Sequence, residues 1–294
     1  MVGNTGWKKF AVISIFLLPN LAGFLFFIGI PIISSFVLSF TSWDLLSPPQ
    51  FVGVDNYINL LRDPSFFNAL TNTLLFIAGY LPTVMVLALI VALLLNRRLR
   101  FRVFFRAAYF VPVITSWVAV ALIWKWMFNP SYGLVNYFLS LIGINGPAWL
   151  QDPSWAMPSI IITSVWKDIG FVMVIFLAGL QGIPENYYEA ADIDGANGWQ
   201  KFRYVTLPLL APTTFFVLVI SLINSFQVFD QVMIMTEGGP AGATTVMVQE
   251  IYNHAFRYFQ MGYASALSWV LFALIFVVTF IQMRWQKRWV DYGK

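Results

Sequence analysis

The sequence predicts an all-α membrane protein that crosses the bilayer with six transmembrane helices. The chain has 294 residues, of which 59% are hydrophobic and only 10% are charged, and its mean hydropathy is +0.74. Soluble domains carry about 25% charged residues. Six apolar runs are each long enough for a spanning helix, which needs about 20 residues. Their approximate limits are 10–40, 69–95, 104–128, 158–180, 209–235 and 263–283.

The first run, 10–40, is expected to be a permanent transmembrane helix. A cleaved signal peptide has an apolar core of only about 7–15 residues, and this run is roughly twice as long. Pro19 and Pro31 are expected either to kink this helix or to mark its ends.

The basic residues predict that both termini are cytoplasmic. Six spans place the two termini on the same side, and basic residues concentrate on the cytoplasmic side of membrane proteins. With the termini inside, the outer segments and their borders hold only Arg62, Lys125 and Arg257. The inner segments then hold Lys8, Lys9, Arg97, Arg98, Arg100, Arg102, Arg106, Lys201, Arg203, Arg284, Lys287, Arg288 and Lys294. Because these residues border the membrane, they indicate topology rather than nucleic-acid binding.

A polar segment, 183–212, separates the fourth and fifth spans and lies on the cytoplasmic side in this orientation. Pro184 suits the first position of a short helix, and Glu185 would follow in its first turn. Gly195 and Gly198 are expected to break the segment, and a second short helix is expected over 199–205. Pro208 would then open the fifth span.

The same segment resembles the EAA loop of bacterial ABC importer permeases. The residues that carry the resemblance, spread over about 24 positions, are Glu189-Ala190-Ala191, Asp194-Gly195-Ala196, Phe202, Leu207-Pro208 and Pro212. In that family the loop is the cytoplasmic coupling helix that docks on the ATP-binding subunit. The resemblance therefore implies that 183–207 is the coupling loop and assigns ATPase coupling to Glu189, Ala190, Ala191, Asp194, Gly195, Ala196, Phe202 and Pro208. Small alanines would let a partner surface approach closely, and Gly195 can adopt backbone angles that other residues resist.

Two outer loops extend the resemblance to the carbohydrate-type members of this family. They are FVGVDNYINLLRDPSF at 51–66 and Glu237-Gly238-Gly239-Pro240. The resemblance covers nearly the whole chain and implies a maltose-type permease fold, with 1–294 as a single transmembrane domain whose core is about 69–283. It also implies a multi-pass subunit of the bacterial plasma (inner) membrane that takes up a disaccharide, oligosaccharide or glycosylated polyol by alternating access.

The partners follow from the same resemblance. They are a second homologous permease, two ATP-binding subunits, which would hold ATP and Mg, an extracytoplasmic sugar-binding protein and the membrane lipid, but no nucleic acid. The chain itself has no Walker-type glycine-rich loop, so we expect it to bind no cofactor and to be no enzyme.

Polar residues within two spans are candidates for a substrate path, because buried polar groups in membranes are functional by default. On the fourth span Ser164, Asp168 and Phe171 share one face. On the fifth span Ser221, Asn224, Ser225 and Gln231 form a stripe, which lines either a water-filled path or a helix contact. The resemblance to the maltose-type permease implies sugar contacts from both helices, so the predicted path consists of Ser164, Asp168, Phe171, Ser221, Asn224 and Ser225.

The two charged residues of the fourth span, Lys167 and Asp168, are not expected to form an ion pair with each other. Lys167 and Asp168 are about 100° apart on a helix and do not face each other, so we expect Lys167 to reach another helix or a backbone carbonyl. Either residue could be a structural charge rather than a ligand. Asp230 is interpreted as a border residue at the outer interface.

Other functional classes are weaker. The chain has no cysteine and one histidine, which argues against a membrane enzyme and predicts no metal site. An ion-coupled secondary transporter could use Asp168 and Lys167, but no inverted repeat is visible. An ABC permease for another solute, such as glycerol phosphate or a peptide, stays open because Lys167 offers a positive charge.

Overall fold

The computed structural model describes residues 6–97 and 100–289, and these residues are mostly helical. Arg98 and Lys294, two of the basic residues that predict the orientation, lie outside the described residues. The helices are α1 (Gly6–Phe24), α2 (Ile30–Leu38), α3 (Asp55–Leu60), α4 (Pro64–Asn96), α5 (Arg102–Ile114), α6 (Trp117–Met127), α7 (Leu134–Leu141), α8 (Pro153–Gln181), α9 (Asn186–Ile193), α10 (Gly198–Lys201), α11 (Leu207–Leu209), α12 (Ala211–Phe226), α13 (Asp230–Met235), α14 (Met247–Tyr252) and α15 (Met261–Trp289). Thr41–Ser42 (β1) and Gln50–Phe51 (β2) pair as short antiparallel strands.

Four stretches are long and apolar enough to cross a membrane without a sharp break. They are Phe10–Leu38, Pro64–Asn96, Pro153–Gln181 and Met261–Gln286, which correspond to the first, second, fourth and sixth predicted spans. The apolar window of the fourth span is 56% buried, whereas that of the first span has no buried residue. The fourth span is therefore the enclosed one, and the first span exposes an apolar surface that only lipid or another protein can cover.

The third predicted span, 104–128, consists of two helices. Helix α5 ends at Ile114, the backbone is extended at Thr115 and Ser116, and α6 begins at Trp117. The Ser116 hydroxyl accepts a hydrogen bond from the Val118 N–H at 3.3 Å, which is the usual way to satisfy a new helix start. The two helices meet at an angle of 99°.

The fifth predicted span is also bent. The helical stretch Gly198–Leu209 meets α12 at an angle of 63°, and Pro212 lies in the first turn of α12, where its missing N–H is tolerated. The chain leaves the helical conformation again over 227–229 before α13 begins. If each bent pair counts as one span, the described residues hold six spans, in agreement with the predicted all-α fold.

The described residues fold into two compact units, of which the larger comprises residues 64–97, 100–250 and 271–289. Its core contains Phe76 and Val84 of α4 together with Ile160, Met173 and Phe176 of α8. Glycines let neighbouring helices approach α8 closely. A Cβ atom at Gly170 would overlap the Tyr109 carbonyl of α5, and one at Gly179 would overlap Thr213 of α12.

The smaller unit comprises residues 6–63 and 251–270. The Asn56 amide of α3 donates to the carbonyls of Ser39 and Thr41 at 2.8 and 2.9 Å. The Met261 N–H donates to the Trp43 carbonyl at 2.9 Å. These bonds fasten the segment after α2 to α3 and to the start of α15.

Substituting Gly170 by alanine should destabilise the larger unit, because the new methyl group would push α8 away from the α5 backbone. Overpacking of this kind costs about 1–3 kcal/mol, and 1 kcal/mol lowers Tm by about 2–4 °C in a chain of this size. Thermal unfolding in detergent, followed by fluorescence-detected size exclusion, should show Gly170→Ala about 2–12 °C below the parent. Gly23→Ala is the matched control, since a Cβ atom there would meet no atom within 4 Å. Equal Tm values for the two variants would contradict the packing argument.

Candidate substrate cavity and coupling segment

One face of α8 carries the polar residues predicted for the fourth span. The Asp168 carboxylate accepts a hydrogen bond from the Tyr80 hydroxyl of α4 at 2.9 Å. Phe171 follows one turn later and is 40% exposed. Ser164 precedes Asp168 by one turn and is fully buried, where it accepts a hydrogen bond from the Gln231 amide of α13 at 3.2 Å. The three predicted residues therefore share a face, but Ser164 serves a contact between helices.

The end of α12 supplies polar groups from a second helix. Ser221 and Ser225 are buried, and the Ser225 hydroxyl donates to the Ser221 carbonyl. Asn224, between them, is exposed. Gln227 lies in the break that follows, and Asp230 is the first residue of α13.

These side chains line one cavity of about 580 Å³ in the larger unit, which we call the central cavity. Five of the six residues predicted for the substrate path line it, namely Asp168, Phe171, Ser221, Asn224 and Ser225. Ser164 is not among the lining residues. The structure thus brings most of the predicted path together, and the role of these residues as substrate ligands stays a prediction.

The central cavity is polar and carries opposite charges. Asp168 and Asp230 contribute carboxylates to its lining, and Lys167 contributes an ammonium group. The Lys167 ammonium donates to the Val113 carbonyl at 3.1 Å and lies 4.9 Å from the centre of the Trp117 ring. As expected from the sequence, Lys167 reaches a backbone carbonyl of another helix, and a carbonyl and an aromatic face both stabilise its charge.

The lining includes residues that were not predicted to belong to the path, among them Tyr80, Trp117 and Asp230. Tyr80 is a polar residue deep in the second span, so the rule that selected Asp168 could also have selected it. Trp117 lines the cavity because α6 starts there after a sharp bend, which Pro112 near the end of α5 and the N-cap residue Ser116 could have indicated. Asp230, interpreted as a border residue, lines the cavity directly after the break between α12 and α13.

The polar segment between the fourth and fifth spans forms two short helices, as predicted. The first helix begins at Asn186, two residues after Pro184, and ends at Ile193. The Ala196 N–H donates to the Ala191 carbonyl, and the Gly195 N–H donates to the Asp192 carbonyl, at 2.9 and 3.0 Å. This is a Schellman ending, which places the residue after the cap in the left-handed region. Gly195 takes that position with φ +77°.

The second helix of the segment is capped and tied back to the first. Asn197 and Gln200 form a capping box with hydrogen bonds of 2.7 and 3.0 Å. Lys201 forms an ion pair with Asp192 of α9. The two helices are therefore held together as one hairpin.

The hairpin presents the predicted coupling residues at its surface. Glu189, Ala190, Asp194, Gly195 and Pro208 are exposed, and Ala191, Ala196 and Phe202 are half-buried. The hairpin also exposes apolar groups, since Ile193 is 88% and Trp199 is 69% accessible. Exposed apolar side chains of this size are typical of surfaces that contact a partner.

A family model described as binding-protein-dependent transport system inner membrane component matches residues 84–292 of the chain. The chain belongs to this family. The resemblance to ABC importer permeases is thereby confirmed.

Relatives of this permease extend over nearly the whole chain. The lactose transport system permease protein LacF of Rhizobium radiobacter is 38% identical over 91% of this chain and 91% of its own length. The trehalose/maltose transport system permease protein MalF of Thermococcus litoralis is 37% identical, also over 91% of each chain. A chain from a bacterial alginate ABC transporter, solved in complex with a periplasmic protein that binds an alginate pentasaccharide, superposes with a TM-score of 0.87, 27% identity and 98% coverage of both chains. A further solved structure is that of a bacterial ABC transporter that takes part in the import of alginate, an acidic polysaccharide.

Family membership settles several expectations. The permease is a multi-pass inner-membrane subunit of an ABC importer, and it is not an enzyme, because separate ATPase subunits hydrolyse ATP in this family. The permease family carries no cofactor of its own. Membership also decides against the ion-coupled secondary transporter.

Replacing Gly195 by alanine should loosen the hairpin, because an L side chain in the left-handed region costs about 1–2 kcal/mol. The hairpin should then open roughly 5–30 times more often. Limited trypsin digestion of the purified permease should cut after Lys201 and Arg203 faster by a similar factor. Gly198→Ala is the matched control, because a Cβ atom there meets nothing within 4 Å and Gly198 lies in the first turn of α10. Equal cleavage rates in both variants would show that Gly195 does not hold the hairpin.

Proposed function

We propose that this permease carries a neutral saccharide or a glycosylated polyol across the inner membrane, and that the substrate passes through the central cavity. The observation that carries the proposal is a polar, partly aromatic cavity of about 580 Å³ enclosed by membrane helices. This volume falls in the range of about 300–1,000 Å³ that is common for small-molecule sites. The names of the relatives, which include lactose and trehalose/maltose transport, support a sugar as cargo.

The chemistry of the lining suits a polyhydroxylated substrate. Carboxylates at Asp168 and Asp230 accept hydrogen bonds from hydroxyl groups, whereas the amides of Asn224 and Gln227 both donate and accept. The partly exposed Phe171 ring offers a flat surface for the apolar face of a sugar. Side chains of these types can replace the water that a sugar loses when it enters the cavity.

The charge of the lining favours a neutral substrate over an anionic one. Two carboxylates face the cavity, and the one ammonium group in its lining, Lys167, is already engaged by the Val113 carbonyl. A uronate or a glycerol phosphate would meet like charges without a free cation, which costs binding energy. In this respect we expect the permease to differ from the alginate transporter, whose cargo is acidic.

The surrounding machinery is proposed from the family. Two ATP-binding subunits would hold ATP and Mg and dock on the hairpin at 183–207, a second homologous permease would complete the path, and an extracytoplasmic binding protein would deliver the sugar. The exposed Ile193 and Trp199 support an ATPase contact at the hairpin. Alternating access then follows if the hairpin moves with the ATPases and the helices reopen to the outside.

The central cavity is tested by Asp168→Asn and Tyr80→Phe in the assembled transporter, reconstituted in proteoliposomes with its binding protein. Lactose, maltose and arabinooligosaccharides serve as neutral probes, and oligouronates serve as anionic ones. Uptake of the preferred neutral sugar should fall at least ~10-fold in Asp168→Asn, because a hydrogen bond to a charged group contributes about 1.5–3 kcal/mol. Tyr80→Phe should reduce uptake less, and Tyr109→Phe, whose ring lies outside the central cavity, is its control. Preferred uptake of oligouronates, or normal uptake by Asp168→Asn, would overturn the proposal.

The coupling role is tested by reversing one charge on the hairpin. Glu189→Lys should abolish the stimulation of ATPase activity by sugar-loaded binding protein and lower uptake at least ~10-fold, since like charges at a contact cost several kcal/mol. The permease should still assemble, because the Glu189 side chain is exposed. Glu185→Lys, another exposed site four residues earlier, is the control for a general charge effect. Normal uptake by Glu189→Lys would refute this contact.

A further inference from the structure

A second polar pocket, of about 470 Å³, lies in the smaller unit, and we call it the outer pocket. Trp43 and Asp44 from the segment after α2 form one side, and Asn59 of α3 contributes to the floor. Phe259 and Gln260, just before α15, form the other side. These segments join spans one to two and five to six, so they are extracytoplasmic in the orientation that the basic residues indicate.

The walls of the outer pocket are fixed by contacts that do not involve a ligand. The Met261 N–H donates to the Trp43 carbonyl at 2.9 Å, which joins the two sides. Gly262 lies so close to the Thr41 carbonyl that a Cβ atom would overlap it. The Tyr263 hydroxyl donates to Asp63 at 2.8 Å. The outer pocket is therefore preorganised, which lowers the free-energy cost of ordering its side chains when a ligand binds.

Phe259 occupies a backbone conformation that favours glycine. Its φ is +54°, a region that L side chains resist, and yet its side chain is 53% exposed at the outer pocket. A buried ring could be explained by packing, but an exposed ring in a strained conformation needs another reason. Strained residues of this kind cluster at ligand-binding sites.

The groups around Phe259 suit hydroxyl recognition. Ser47 donates to Asp44 from its N–H at 2.8 Å and from its hydroxyl at 2.7 Å. The Ser47 N–H and hydroxyl hold the pKa of the Asp44 carboxyl below its usual value, so this carboxylate is ionised at neutral pH and accepts hydrogen bonds. Asn59 and Gln260 add amides that both donate and accept. No Lys or Arg is among the lining residues, all of which lie in the described part of the chain.

We propose that the outer pocket binds one glycosyl unit of a neutral saccharide, with the Phe259 and Trp43 rings against the sugar face and Asp44 accepting its hydroxyls. The outer pocket and the central cavity share no lining residue. A saccharide can therefore bind in the outer pocket whichever route it takes through the membrane. It gives the permease a saccharide contact of its own on the side where a binding protein would release cargo. The carboxylates Asp44 and Asp63 exclude anionic sugars for the reason given for the central cavity.

Saturation-transfer NMR on the assembled transporter in lipid nanodiscs, without binding protein, tests the outer pocket with lactose and maltotriose as probes. The parent should transfer saturation to the sugar protons, and so should Val174→Ala, a control at an exposed residue that lines neither cavity. Asp168→Asn is measured alongside to report the contribution of the central cavity. Phe259→Gly should reduce the transfer about 3–10-fold, the factor expected for one lost aromatic contact. Because glycine adopts a positive φ without strain, this variant removes the ring and relaxes the backbone. Size-exclusion chromatography of the variant checks that it is folded and assembled. Phe259→Trp should retain the signal, and Asp44→Asn should weaken it.

Two outcomes would overturn the proposal. Unchanged transfer in Phe259→Gly and Asp44→Asn, or transfer lost only in Asp168→Asn, would show that the sugar does not bind in the outer pocket. Line broadening by Mn²⁺ that depends on Asp44, without saccharide transfer, would show a cation site instead. If only the central-cavity proposal is wrong, the results differ from these. Asp168→Asn then takes up sugar normally, whereas Phe259→Gly still loses the NMR signal.

Discussion

The hydrogen bond between Tyr80 and Asp168 is the interaction on which the central cavity depends. A carboxylate within a membrane-spanning helix is costly unless it has a partner or water. The Tyr80 hydroxyl supplies that partner from α4 at 2.9 Å, and hydrogen bonds to charged groups contribute about 1.5–3 kcal/mol. The second oxygen of the carboxylate can then serve a substrate, because the bond to α4 already fixes the orientation of the group.

This carboxylate lies on helix α8, whose apolar window is the most buried of the four unbroken spans. Gly170 and Gly179 admit the Tyr109 carbonyl of α5 and Thr213 of α12 to close contact, so these two helices pack closely against α8. The interruption between α12 and α13 then leaves Gln227 and Asp230 beside the polar face of α8. A rigid helix and an interrupted one together create a polar space in an apolar bundle, which is the arrangement expected where a polar solute crosses a membrane.

The sequence was sufficient for features that depend on local chemistry, and insufficient for those that depend on backbone breaks. The spans follow from apolar length, and the hairpin follows from Gly195 and from the residues of the EAA pattern. Asp168 and the polar residues of α12 were predicted from the rule that polar groups buried within membrane spans are functional by default. In contrast, the 99° bend before Trp117 and the break before Asp230 were not predicted, so Trp117 and Asp230 were not assigned to the path. Tyr80 was missed although its polar group lies deep in the second span, where the same rule applies. Ser164 lies on the same face of α8, but its hydroxyl accepts a hydrogen bond from Gln231 of α13 and it does not line the central cavity.

Cysteine protection shows most directly whether a sugar occupies the central cavity. The chain has no cysteine of its own, so a single introduced cysteine is the only one that reacts in this subunit. Single cysteines at Phe171 and Asn224 would be labelled with a charged, membrane-impermeant thiosulfonate in the assembled transporter. Val174, which is exposed but does not line the central cavity, is the control position. We expect both cavity cysteines to react and the transported neutral sugar to slow their labelling at least ~10-fold, whereas the control is unaffected by sugar. Reactive cavity cysteines that no sugar protects would contradict the account.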